Sequence, residues 1–197
     1  MKSVKNKIYA SILCICTMMM GGLSADCTAK SVKMETDGLG NAVSVWELQE
    51  GGVTIIQAAY RAATGTEWSA PHQLSLSNQV LGNFRSSDPK LAINSQGQTV
   101  AIWRSIDPSS SKSHLYAATL SLQGTVSWTT AALVSDVNEP LQNMLGEAPY
   151  SVKVGENGKS TVIWQTVLQE VKSSTSTVSE GSNSWTSPVL VVGTGCP

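Results

Sequence analysis

The chain has 197 residues, of which 41% are hydrophobic, 6% aromatic and only 14% charged. Thirteen basic and 14 acidic residues leave a net charge of −1. Soluble domains carry about 25% charged residues, so this composition excludes a disordered acidic tail, a coiled coil and a polybasic nucleic-acid binder.

The chain opens with a cationic stretch, MKSVKNK, followed by the apolar run IYASILCICTMMMGGL. Ala25 stands as a small residue before Asp26, which completes the layout of a secretory signal peptide over residues 1–25. The apolar run is short for a membrane span. Removing Lys2, Lys5 and Lys7 with the leader leaves 10 basic against 14 acidic residues, a net charge of −4. Neither nucleic acid nor, after cleavage, a membrane is then expected as a partner. The expected location is secreted, periplasmic or at the cell surface. Of four cysteines, Cys14 and Cys16 leave with the signal, while Cys27 and Cys196 remain at the two ends of the chain. Export to an oxidising compartment makes a Cys27–Cys196 disulfide the simplest expectation, with two unpaired thiols as the alternative.

Residues 26–197 are organised by a repeat. Trp46, Trp103 and Trp164 are 57 and 61 residues apart, and Trp68, Trp128 and Trp185 are 60 and 57 apart. A period of about 59, present three times, defines units over about 30–75, 89–135 and 149–192. Gly40, Gly97 and Gly158 each stand six residues before the first Trp, in GNAVSVW, GQTVAIW and GKSTVIW. Gly65, Gly124 and Gly181 precede the second Trp, and the connectors Ser75–Pro89 and Ser135–Pro149 match in length.

Each unit reads as four short strands divided by turn formers, as in KLAIN, TVAIWRS, HLYAATLS and SWTTAALVS of the second. The Trp-ended segments AVSVW, TVAIW and STVIW are apolar or small at nearly every position, which predicts strands covered on both faces. The expected fold is therefore all-β: three four-stranded antiparallel blades, propeller-like, with a β-sandwich as the alternative. The pattern resembles the blade repeats of bacterial secreted propeller proteins of the broad sialidase-like and WD-like kind. It carries neither signature: the Asp-box, Ser-x-Asp-x-Gly-x-x-Trp, is not matched, since Asp37 stands three residues before Gly40 with Asn94 and Gly155 as its equivalents, and the WD dipeptide is absent.

Antiparallel order places the short Gly-bearing turns at one end of the blades and the dissimilar loops at the other. Those loops read ELQEGG (47–52), RSIDPSSSKS (104–113) and QTVLQEVKSS (165–174). Long, varied loops on a repeated scaffold are where ligands are usually met. The slot after the first Trp holds Glu47, Arg104 and Gln165, one position with three chemistries. The connectors add Asn83, Phe84, Arg85, Asn143 and Met144 as candidate binding residues. Tryptophans that recur at fixed positions are expected to be packing anchors, with Trp68, Trp128 and Trp185 on outer strands.

No nucleophile elbow, HExxH, phosphate loop, dinucleotide fingerprint or CxxC is present, so no catalytic residue, metal or cofactor is assigned. A sialidase-like arginine triad would need Arg61, Arg85 and Arg104 together, and the strand order puts Arg61 apart. The expected function is a secreted non-catalytic binding or assembly module for a protein or carbohydrate ligand. The alternatives are a structural surface component, with self-association through open blade edges, and a glycoside hydrolase.

Overall fold

The computed structural model describes residues 28–50, 53–75, 85–106, 112–141, 149–178 and 183–192, with the backbone alone at Glu50 and Arg85. The leader over 1–25, Cys27 and Cys196, and the connector residues Asn83, Phe84, Asn143 and Met144 lie outside the described residues. The described chain is built from strands alone, in three four-stranded antiparallel blades. The first holds β1 (Thr28–Thr36), β2 (Ala42–Glu50), β3 (Val53–Arg61) and β4 (His72–Gln73). The second holds β5 (Arg85–Ile93), β6 (Gln98–Ile106), β7 (Ser113–Ser121) and β8 (Ala132–Leu133). The third holds β9 (Tyr150–Val154), β10 (Lys159–Gln165), β11 (Val171–Thr177) and β12 (Val189–Val192). A single parallel pair, Thr54 with Arg85, ties the first blade to the second at one end.

The repeat is reproduced in register. Val45 pairs with Ala58, Ile102 with Ala117 and Ile163 with Ser173 across the second and third strands of successive blades. The turns before the Trp-bearing strands need a residue in the left-handed region, and Gly40, Gly97 and Gly158 supply it at φ 90°, 79° and 75°. Asp37 and Asn94 serve those turns structurally. The Oδ1 of Asp37 accepts the N–H groups of Leu39 and Asn41, and that of Asn94 accepts those of Gln96 and Gln98. The Asn94 amide also donates to the Gly155 carbonyl at 2.9 Å, joining the second turn to the third.

The middle blade is covered on both faces, as its near-continuous apolar strands require. Along β6, Ala101 and Trp103 pack with Val43, Val45, Ile56 and Leu74 of the first blade. The alternate residues, Val100 and Ile102, pack with Val152, Val162 and Trp164 of the third. Trp46, Trp103 and Trp164 are buried, as packing anchors should be, and Trp103 stacks on its register partner Tyr116 at 6.5 Å.

The outer strands depart from expectation. β4 and β8 are two residues long, and Trp68, Trp128 and Trp185 precede the outer strands instead of lying on them. A side-chain clamp holds them there. The hydroxyl after each Trp, on Ser69, Thr129 or Thr186, accepts the N–H of Tyr60, Thr119 or Thr175, and the same residue's N–H returns a bond to that partner's carbonyl. These pairs satisfy backbone groups that a longer outer strand would otherwise pair.

Candidate binding end of the blades

The first strand of the second blade also runs longer than expected. β5 starts at Arg85, so Pro89, expected to open a unit, sits inside a strand. It is accommodated by a bulge between Ser87 and Lys90, because proline cannot donate to the ladder. Asp88 takes φ 54° there, in the left-handed region that Asp tolerates better than most residues. β1 has the matching bulge between Lys30 and Lys33, with Ser31 at φ 52°.

Asp88 is the point on which three blades converge. Its backbone N–H donates to Glu47 Oε1 of the first blade at 2.8 Å. Its carboxylate accepts from Arg104 Nη2 of the second blade, also at 2.8 Å. Its carbonyl accepts the phenolic O–H of Tyr150, the first residue of the third blade's β9. Arg104 reaches the Ser87 hydroxyl as well, at 3.4 Å, and the Lys90 ammonium stands 5.2 Å from the Tyr150 ring centre. Burial, reinforced by the negative charge of Asp88, pushes the Tyr150 phenol well above its ordinary value, so it stays protonated as a donor. The Asp88–Arg104 pair keeps a solvent face, with side-chain exposures of 34% and 16%.

Glu47 and Arg104 each bind Asp88, the first at its backbone N–H and the second at its carboxylate. They do so from within strands, because β2 runs on to Glu50 and β6 to Ile106, where loops were expected. Pairing continues past the Trp because each hairpin partner is long enough to match it, Glu47 with Ile56 and Arg104 with Leu115. Gln165 holds the same register position opposite Val171 but is not joined to the Asp88 group among the described residues. Arg85 begins β5 at this end of the blade. Arg61 pairs with Ala42 at the opposite end and lies 5.7 Å over the Trp68 ring, so the three arginines form no triad. Asp88, Lys90 and Tyr150 are the residues sequence reading missed. An acid in front of Pro89, where the matching Pro149 follows Ala148, was the available signal. Among the described residues, no three His, Cys, Asp or Glu side chains come together as a metal-ion set.

No family model and no curated protein matches the chain. Solved structures do match. One is the crystal structure of polysaccharide lyase Uly1, with a TM-score of 0.53 at 11% sequence identity. The match covers 80% of this chain and 40% of that one, so the chain spans less than half of that protein's length. At this identity the likeness is one of fold.

Proposed function

We propose that this protein is a non-catalytic binding module that takes a carbohydrate at the end of the blades where Glu47, Asp88 and Arg104 converge. The observation that carries the reading is the Asp88–Arg104 pair: partly open to solvent, and oriented by one residue from each neighbouring blade. A carboxylate beside a guanidinium offers acceptor and donors side by side, which suits adjacent sugar hydroxyls. Their orientation is set before any ligand arrives, so little ordering entropy is lost on binding. One of the converging groups is poorly suited to proton transfer at neutral pH, since the Tyr150 phenol is held protonated. The polysaccharide lyase that shares the fold makes carbohydrate the first ligand class to screen. With the leader read from the sequence, the module acts outside the cytoplasm.

The test is a polysaccharide array probed with the wild type, Arg104→Lys and Asp88→Asn. Lys cannot reproduce the fork of the guanidinium, and Asn tolerates the left-handed backbone at position 88. Loss of a glycan signal in both variants, with melting temperatures kept within a few degrees, supports the reading. A glycan signal untouched by both, or no glycan bound by the wild type, overturns it. A second reading is favoured by the mutual satisfaction of the same groups: the cluster is a clamp between blades. In that case both variants melt earlier and no glycan signal depends on them.

A further inference from the structure

At the opposite end of the third blade lies a groove of about 320 Å³ lined by Lys159, Thr175, Ser176, Thr177, Ser184, Trp185 and Thr186. Lys159 pairs with Thr177 at the turn end of β10, whereas Gln165 marks the end that corresponds to the Asp88 cluster. Seven residues of strand separate the two ends, roughly 20 Å.

The repeat offers a reason for a groove at this blade. The residue that follows the clamped strand position is Arg61 in the first blade, Leu120 in the second and Ser176 in the third. Arg61 lies over the Trp68 ring. Leu120 is buried, bridges to Trp128 and packs with it in one cluster. Ser176 is smaller than either, and Trp185, packed on the core from one side, is half-buried. The indole is nevertheless fixed. Its Nε1–H donates to Asn183 Oδ1 at 2.9 Å, and the Asn183 amide donates to the Ala117 and Thr130 carbonyls at 2.7 Å. The buried indole N–H groups of Trp46, Trp103, Trp128 and Trp164 meet no acceptor among the described residues. Ser176 itself is 7% exposed, and its Oγ meets no hydrogen-bond partner among the described residues. A buried hydroxyl left unpaired in the wall of a groove is a place for a ligand or water oxygen.

We propose that this groove is a second binding site, and that it takes one pyranose ring of a glycan chain. A held indole edge gives a rigid apolar contact at low entropic cost. The hydroxyls of Thr175, Ser176, Thr177, Ser184 and Thr186 donate or accept as a polyol demands, and no carboxylate lines the walls. The volume is at the low end for ligand pockets, sized for a single ring. The site extends the carbohydrate reading above but does not depend on Asp88 or Arg104.

Calorimetry with neutral and uronic hexasaccharides, run on the full chain, tests it. The variants are Ser176→Leu, which restores the second blade's covered arrangement, and Thr177→Arg, an exposed substitution that blocks the rim without touching the core. The expected result is two classes of site in the wild type, of which the one that survives Arg104→Lys is weakened at least tenfold by Ser176→Leu or Thr177→Arg. Binding lost in Arg104→Lys but kept in Ser176→Leu and Thr177→Arg overturns the groove while leaving the Asp88 site standing. No hexasaccharide bound by the wild type, or binding unchanged in Thr177→Arg, overturns it as well.

Discussion

Trp103 is the sharpest test of the blade stacking, because its ring is fully buried between the first two blades. A buried tryptophan removes about 150–250 Å² from water, which at about 25 cal/mol/Å² is worth roughly 4–6 kcal/mol. That is an upper bound, since an unfolded chain already hides part of this area. Allowing for it, Trp103→Ala should cost about 3–5 kcal/mol, a large share of the roughly 5–15 kcal/mol that holds a domain together. The melting temperature should fall on the order of 10 °C. One term works the other way: the Nε1–H of Trp103 is buried without an acceptor among the described residues, and a lost hydrogen-bond partner costs about 1–3 kcal/mol. Trp103→Phe removes that donor while keeping the contact with Tyr116, so it should cost well under half as much as the alanine variant. Trp68→Ala, at a half-buried site beneath Arg61, should cost least of the three. Equilibrium urea unfolding of the three variants measures all of this. A Trp68→Ala loss equal to that of Trp103→Ala would refute the assignment of Trp103 to an interblade core.

The Tyr150 phenol is held protonated above the pH at which an exposed tyrosine ionises, so its contribution is intact below about pH 10 and lost as pH rises beyond it. Tyr150→Phe should flatten that alkaline fall in stability, and a phenolate absorbance titration should show the Tyr150 phenol ionising only on unfolding. Lys172 behaves alike: its ammonium donates to Glu139, which lifts its pKa above the ordinary lysine value. Stability from that pair is present below the ordinary value and lost above it, so Lys172→Met should weaken the alkaline dependence of chemical unfolding. Gly97→Ala combines a left-handed backbone costing about 1–2 kcal/mol with a Cβ set 2.9 Å from that of Leu122. Gly40→Ala meets nothing nearer than 3.6 Å and should cost less, so equal melting temperatures for the two would contradict the crowding argument.

Blade count and strand order were legible in the sequence because the same packing problem is solved three times. Trp46, Trp103 and Trp164 must each reach a buried position, so their spacing records the repeat directly. The turn glycines were legible for a comparable reason, since few other residues hold φ near 80° without strain. The bulges at Ser31 and Asp88 were not, because a polar residue in the left-handed region leaves no periodic mark. The Asp88 cluster joins Glu47, Asp88, Arg104 and Tyr150, with the last bond spanning 62 residues, and no local pattern encodes such a meeting. The groove was hidden differently. Its cause is a difference among copies, Arg61, Leu120 and Ser176, and a search for what the units share passes over it.

That difference belongs to a wider change in the third blade. On the face each blade turns to its successor, the first presents Val43, Val45, Ile56 and Ala58, and the second presents Val100, Ile102, Leu115 and Ala117. The matching positions of the third are Thr161, Ile163, Val171 and Ser173. Two of these replace an apolar residue by a hydroxyl of nearly the same size, Val by Thr and Ala by Ser, so shape is kept while affinity for water rises. Ile163, 43% exposed where Ile102 is fully buried, is what remains of the interblade surface. Ser176 lies on the other face of β11, beside Trp185, so the hydroxyls of that rim are a second change in the same blade. The repeat built the indole as a packing anchor, and the third copy left it open.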